Sequence, residues 1–171
     1  MDDIILVDTE DREIGRGEKM AVHRAGLLHR AFSVFLFCGD SVLLQKRAAS
    51  KYHCGGLWTN TCCSHPRPGE TVADAAVRRL KEELAIKTVG LTEAASFLYR
   101  YPFENGLTEY EVDHILVGEY DGGWTENPEE VDAVRLVPVA ELRAELLRSP
   151  EQYTPWFFTA FGFAEKGRRR K

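Results

Sequence analysis

No run of about 18 apolar residues occurs in this 171-residue chain, so no segment reads as a membrane-spanning helix. Cysteine is scarce. Cys38, Cys54, Cys62 and Cys63 are the full set, and none forms a CxxC pair. A zinc knuckle and a disulfide framework are therefore not expected. The first residues, Met1-Asp2-Asp3, are acidic and lack the basic, apolar character of a secretory signal. A cytoplasmic setting with reduced thiols is the expectation. Excess positive charge is also missing: the formal net charge is -5, which argues against general nucleic-acid binding. There is no internal repeat, low-complexity stretch or long linker. Residues 1–165 therefore read as a single domain, followed by a basic, solvated tail at 166–171.

What is present is an ordinary globular composition, 44% hydrophobic and 29% charged. Ile4 to Val7 reads as a strand, with a hairpin turn at Asp11 to Gly17. Glu18 to Val22 leads into His23 to His29, a stretch that reads as irregular. Phe32 to Phe37 and Ser41 to Gln45 flank Gly39-Asp40 and predict a β-hairpin. Gly55-Gly56 interrupts the chain before Leu57 to Cys63, and Pro66 and Pro68-Gly69 mark a loop. From Glu70 to Leu84 the spacing predicts a helix, because Val72, Ala76, Leu80 and Leu84 recur every four residues. Ser96–Tyr101, Thr108–Tyr120 and Val131–Pro138 are strand candidates, and Ala140–Leu147 a short helix. An aromatic-rich segment, Pro150 to Phe163, has the character of a lid. Strands before and after one central helix suggest an α/β or α+β sandwich with a mixed sheet.

Four groups of residues could carry chemistry. His23, His29 and His65, with Glu109 and Glu111, offer three imidazoles and two carboxylates. These would suit Mn2+, Mg2+ or Zn2+ if they met. Glu109 and Glu111 share one strand face by their i, i+2 spacing. Cys63, two residues from His65, is the best-placed thiol, and Cys62 beside it would turn away and pack. Lys19, Arg47 and Lys51 are cations for an anion, although surface ion pairs would explain them as well. Glu83 could hold Mg2+ or simply pair with Arg79 four residues earlier. Tyr99, Trp124 and Trp156 could be core, or could face a cation through their rings. Sequence separation alone does not show that any of these groups converge.

Leu28-His29-Arg30-Ala31-Phe32-Ser33, Trp58-Thr59-Asn60, Cys63-Ser64-His65-Pro66 and Glu109-Tyr110-Glu111-Val112 together resemble the type 1 isopentenyl-diphosphate delta-isomerases. The similarity runs from about Ile4 to Phe163. It implies a Nudix-like sandwich with a mixed central sheet flanked by helices. It also implies interconversion of isopentenyl and dimethylallyl diphosphate through a tertiary carbocation. By this resemblance His23, His29, His65, Glu109 and Glu111 hold the first divalent ion, and Glu83 holds a Mg2+ that arrives with the diphosphate. Lys19, Arg47 and Lys51 bind the diphosphate. Cys63 and Glu111, with Tyr99 beside the latter, transfer protons, and Trp156 walls the substrate. The implied partner is a small prenyl diphosphate, with the chain a monomer or weak homodimer. The Nudix box is degraded: aligned on Glu82-Glu83, Arg79 replaces a carboxylate that Nudix hydrolases use for Mg2+. A Nudix hydrolase and a metal-stabilised binding module without turnover are the alternatives. The His23–His29 gap is one residue shorter than in some members, and little chain follows Phe163.

Overall fold

A computed structural model describes residues 3–87 and 89–169. In chain order the elements are β1 (Asp3–Val7), β2 (Glu13–Glu18), α1 (Lys19–Ala25), β3 (His29–Cys38), β4 (Ser41–Arg47), β5 (Trp58–Thr59), β6 (Cys62–Ser64) and α2 (Val72–Leu84). They continue with β7 (Thr92–Pro102), β8 (Thr108–Glu119), β9 (Val131–Pro138), α3 (Val139–Arg148) and α4 (Phe157–Arg168). The result is the mixed sheet flanked by helices that the pattern predicts.

The strand β3 is the axis of the molecule. It pairs in parallel with β8 from His29↔Glu111 to Phe37↔Glu119, and antiparallel with β4 and β6. Strand β7 lies antiparallel on the far side of β8, and β9 lies antiparallel beside β4. Because β3 is covered on both faces, it reads as a nearly continuous apolar run. Phe35 and Phe37 face a core formed with Leu142 and Leu146 of α3 and Phe157 and Phe161 of α4. Phe32, Val34 and Leu36 face the opposite core, against Ala76, Leu80 and Leu84 of α2. The period-four stripe on α2 is therefore buried against the sheet. Thr71 caps that helix: its hydroxyl accepts from the Asp74 amide at 3.1 Å and donates to the Asp74 carboxylate at 2.7 Å. Thr71→Ala is expected to cost about 1 kcal/mol in urea unfolding; an unchanged midpoint would show that the cap contributes nothing.

Period two explains where the polar groups sit. On β3 the positions 29, 31, 33, 35 and 37 share one face, and on β8 so do 109, 111, 113, 115 and 117. Toward the carboxyl ends that face is apolar, with Phe35, Phe37, Ile115 and Val117 in the α3/α4 core. Toward the amino ends it turns polar yet stays buried: His29, Ser33, Glu109, Glu111 and Asp113. This buried polar end is the candidate site.

Several expectations are corrected. His23 is not in an irregular stretch. It lies on α1, a two-turn helix opened by Glu18, whose carboxylate accepts from the amides of Met20 and Ala21 at 2.9 and 2.7 Å. Gly26 ends it in the left-handed region, at φ 61°, where a side chain is disfavoured. Too short to show a helical period, α1 left no signal in the pattern. The first hairpin turn falls at Asp8 to Arg12, where Asp8 accepts from the Glu10 and Arg12 amides, and Glu13–Glu18 is strand. The presumed tail is not all solvated: Lys166–Arg168 complete α4, and Arg168 pairs with Glu119 and stacks on Phe37. The last two positions of the 166–171 segment lie outside the described residues.

Candidate active site

Five side chains from four parts of the chain converge. His23 comes from α1, His29 from the start of β3, His65 from just after β6, and Glu109 and Glu111 from β8. One ligand atom from each lies within 4.8 Å of all the others, and all five residues are buried. The β3–β8 register sets His29 beside Glu111, and the β7–β8 register sets Tyr99 on its other side. Nδ1 of His23 pairs with the Lys19 carbonyl at 2.7 Å, and Nδ1 of His29 with the Leu27 carbonyl at 2.8 Å. These bonds place the proton on Nδ1 and turn the Nε2 lone pairs toward the centre. There, Nε2 of His23 lies 3.4 Å and Nε2 of His29 3.9 Å from Glu109 Oε2. Those three buried atoms have no hydrogen-bond partner among the described residues. An unpaired buried polar atom costs about 1–3 kcal/mol, and a divalent cation among three imidazoles and two carboxylates would satisfy all of them. The residues present thus fit such an ion.

Glu111 is the most connected member. Its Oε1 lies 3.0 Å from His65 Nε2 and 3.3 Å from His29 Nε2, and its Oε2 accepts from the Tyr99 hydroxyl at 2.6 Å. Burial would raise its pKa. Its contacts with Glu109, His29 and His65 outweigh that and hold the carboxyl well below the usual range. Burial pushes the Tyr99 phenol well up, aided by the Glu111 and Glu109 charges, so it stays a donor. Burial holds His65 well below its ordinary value, which favours the neutral ring.

Cys63 lines the same cavity as Glu109, Glu111, Tyr99 and Trp156. Cys62 points the other way, into the core against α2, as the adjacent positions on a strand require. Cys63 Sγ accepts from Arg47 Nη1 at 3.6 Å. Burial nonetheless pushes the thiol up to about 12, outweighing the pull of Arg47. Trp156 sits at the entry to α4, 4% exposed, with its ring tilted against Tyr99 at 6.3 Å and the Arg47 guanidinium 5.8 Å from its centroid. Its indole N–H donates to Asn60 at 3.4 Å. Trp124, by contrast, packs beside the α2 core, away from the cavity.

Lys19, Arg47, Lys51 and Arg79 line the same cavity. Burial, and then repulsion from Arg79 and Lys51, lowers the pKa of the Lys19 ammonium; an anion held among them would relieve that repulsion. Glu83 makes the ion pair its spacing allowed. It pairs with Arg79 at 2.6 Å, and its other oxygen accepts from Gln45 Nε2 at 2.7 Å while facing the cavity. Glu130 joins this edge, in contact with Lys51 and 2.9 Å from Arg79.

Four cavity residues escaped the reading of the sequence: Gln45, Tyr52, His53 and Glu130. A Tyr-His pair directly after Lys51 was a weak available signal. Gln45 and Glu130 had none, since each is marked only by its tertiary neighbours.

This architecture, with a loop-and-helix motif from Cys63 through α2 carrying a charged face to the sheet end, defines a Nudix-fold protein. The NUDIX domain family matches residues 27–157. The solved structure of DR0079 from Deinococcus radiodurans superposes with a TM-score of 0.75 at 20% identity, covering 98% of each chain. The NUDIX domain of Shewanella oneidensis NrtR does so with a TM-score of 0.61 at 18% identity, covering 84% of this chain and 87% of that one. Within that class the chain belongs to the isopentenyl-diphosphate Delta-isomerases. It is 50% identical over 156 residues to isopentenyl-diphosphate Delta-isomerase 2 of Aromatoleum aromaticum, which spans 91% of this chain and 82% of the relative. It is 47% identical over 157 residues to the Serratia proteamaculans isopentenyl-diphosphate Delta-isomerase, covering 91% and 87%.

Proposed function

We propose that the protein is a metal-dependent, type 1 isomerase that interconverts isopentenyl diphosphate and dimethylallyl diphosphate in the cytoplasm. The observation that carries this reading is one buried cavity lined by Cys63, the Tyr99–Glu111 pair, Trp156 and a set of cations.

Moving the double bond requires a proton at C4 and loss of one from C2. The C3=C4 π pair forms the new C4–H bond and leaves a tertiary cation at C3. The C2–H pair then closes the C2=C3 bond. Two proton-transfer groups on opposite faces of the five-carbon chain suffice. Glu111 with Tyr99 serves one face and Cys63 the other, and the roles exchange when the reaction runs backward. Tyr99 holds the Glu111 carboxylate by its 2.6 Å hydrogen bond. The rings of Trp156 and Tyr99 would keep water from the cation, which would otherwise become an alcohol. Trp156 and Tyr99 stabilise it by about 2 kcal/mol each, a small part of the roughly 8–23 kcal/mol enzymes supply. Oriented binding and positioned proton transfer provide the remainder.

Lys19, Arg47 and Lys51 hold the diphosphate oxygens and fix the chain's register between the two faces. His23, His29, His65, Glu109 and Glu111 would hold a divalent ion, Mn2+, Mg2+ or Zn2+, whose charge would adjust proton affinity beside Glu111. Glu83 would hold a Mg2+ that neutralises the diphosphate.

Incubating the purified protein with isopentenyl diphosphate and Mg2+ in deuterated water should give dimethylallyl diphosphate labelled in the prenyl skeleton. Release of phosphate without an isomer would instead mark a hydrolase. Glu83→Ala is expected to raise KM for the diphosphate more than it lowers kcat. It also strips Arg79 and Gln45 of a shared partner. An unchanged Mg2+ requirement in steady-state kinetics would reject the role of Glu83.

A further inference from the structure

The loop between β4 and β5 carries a buried imidazole with no part in the scheme above. His53 is 6% exposed. Its ring is stacked on Phe103 at 4.8 Å and 10°, and edge-on to Trp156 at 6.1 Å. Nε2 of His53 is in close contact with Glu109 Oε1. The other oxygen of that carboxylate, Oε2, is the one that faces His23 and His29. Glu109 is thus divided between two duties. One oxygen abuts the loop imidazole, whose Nε2 has no hydrogen-bond partner among the described residues, while the second faces His23 and His29. Aromatic packing on two sides fixes the loop imidazole itself.

The same residue also faces the cation set. The His53 carbonyl accepts from Arg47 Nη2 at 3.3 Å. Its neighbours in the loop are Lys51 and Tyr52, and the Tyr52 ring lies 5.0 Å from the Lys19 ammonium. One residue therefore touches a member of the His/Glu cluster through its side chain and a diphosphate-facing arginine through its backbone.

We propose that His53 is a positioning residue that holds Glu109 for the divalent ion and ties occupancy of that site to the order of the loop that follows Arg47 and presents Lys51. The inference rests on the His/Glu cluster being a divalent-metal site, as proposed above. Partners that orient a metal ligand from behind are generally worth about 10- to 100-fold in affinity.

The test uses the whole chain, stripped of metal, with Mn2+ alone as the probe. His53→Ala should weaken Mn2+ binding, read by titration, by about ten-fold or more. His53→Gln, which keeps an N–H that can reach Glu109, should recover part of that loss. In the wild type, Mn2+ should slow amide exchange at Lys51, Gly56 and Leu57, whose amides bond to Ala48, Arg47 and Cys54 within the loop; His53→Ala should lose that response. At saturating Mn2+, KM for isopentenyl diphosphate should rise more than kcat falls. If the wild type takes up no Mn2+, the metal reading fails. If it does and His53→Ala binds equally well, only the role of His53 fails. Should the alanine variant not fold, the glutamine variant and the wild-type exchange measurement decide. No Mn2+ effect on the loop of the wild type overturns the coupling.

Discussion

Cys63→Ala should lower turnover by about 10³-fold or more while leaving the fold intact. A positioned proton-transfer group is worth about 10²–10⁴-fold, and no other thiol in the described residues lines the cavity. The loss should appear in kcat, with KM little changed, because Lys19, Arg47 and Lys51 would still bind the diphosphate. Near-normal isomerisation by this variant would refute the two-face scheme. The thiol itself supplies an independent check. With its pKa pushed up by burial to about 12, the neutral form is the one the fold favours. The stabilisation this gives is complete below the unfolded value near 9 and is lost as pH rises from there toward 12. Alkylation of Cys63 in metal-free protein, followed by mass spectrometry, should stay slow through pH 9 and accelerate above it. Rapid labelling at pH 7 would mean that the thiolate is already populated.

Glu111→Gln should be the most damaging single change. It removes one charge from the buried cluster and puts an N–H where Tyr99, His29 and His65 now meet oxygen. We expect kcat to fall by about 10³-fold or more and Mn2+ binding, measured by titration, to weaken sharply. Retained metal affinity would show that Glu111 is not a ligand. Tyr99→Phe keeps the carboxylate and should lose far less. A pH dependence separates charge from shape. Because Glu111 in the metal-free fold titrates well below 4.5, it favours the folded state above that pH. The benefit is lost as pH falls through the lower folded value. The stability advantage of wild type over Glu111→Gln in urea should therefore shrink between pH 5.5 and strongly acid solution. A constant difference would contradict the depressed value.

Much of this protein could be read along the chain. The four-residue stripe on α2 and the apolar run of β3 each record a burial pattern that the sheet satisfies. The i, i+2 spacing put Glu109 and Glu111 on one face, and adjacency sent Cys62 and Cys63 to opposite sides. His23 was placed in an irregular stretch because α1 is only two turns long, capped by a glutamate, and has no period to detect. His53 left only the weak mark of a Tyr-His pair after Lys51, since one imidazole in a glycine-broken loop has no pattern of its own.

By itself, then, the sequence determined which residues are apolar and at what period, and hence the longer elements and the faces of the strands. Tertiary structure alone decided that three histidines and two glutamates become neighbours. That meeting depends on the parallel β3–β8 register and on the Gly26 turn that returns α1 to the sheet. The physical reason is that local periodicity encodes burial, whereas a site is made of contacts between residues far apart in the chain, which only the pairing of strands can set.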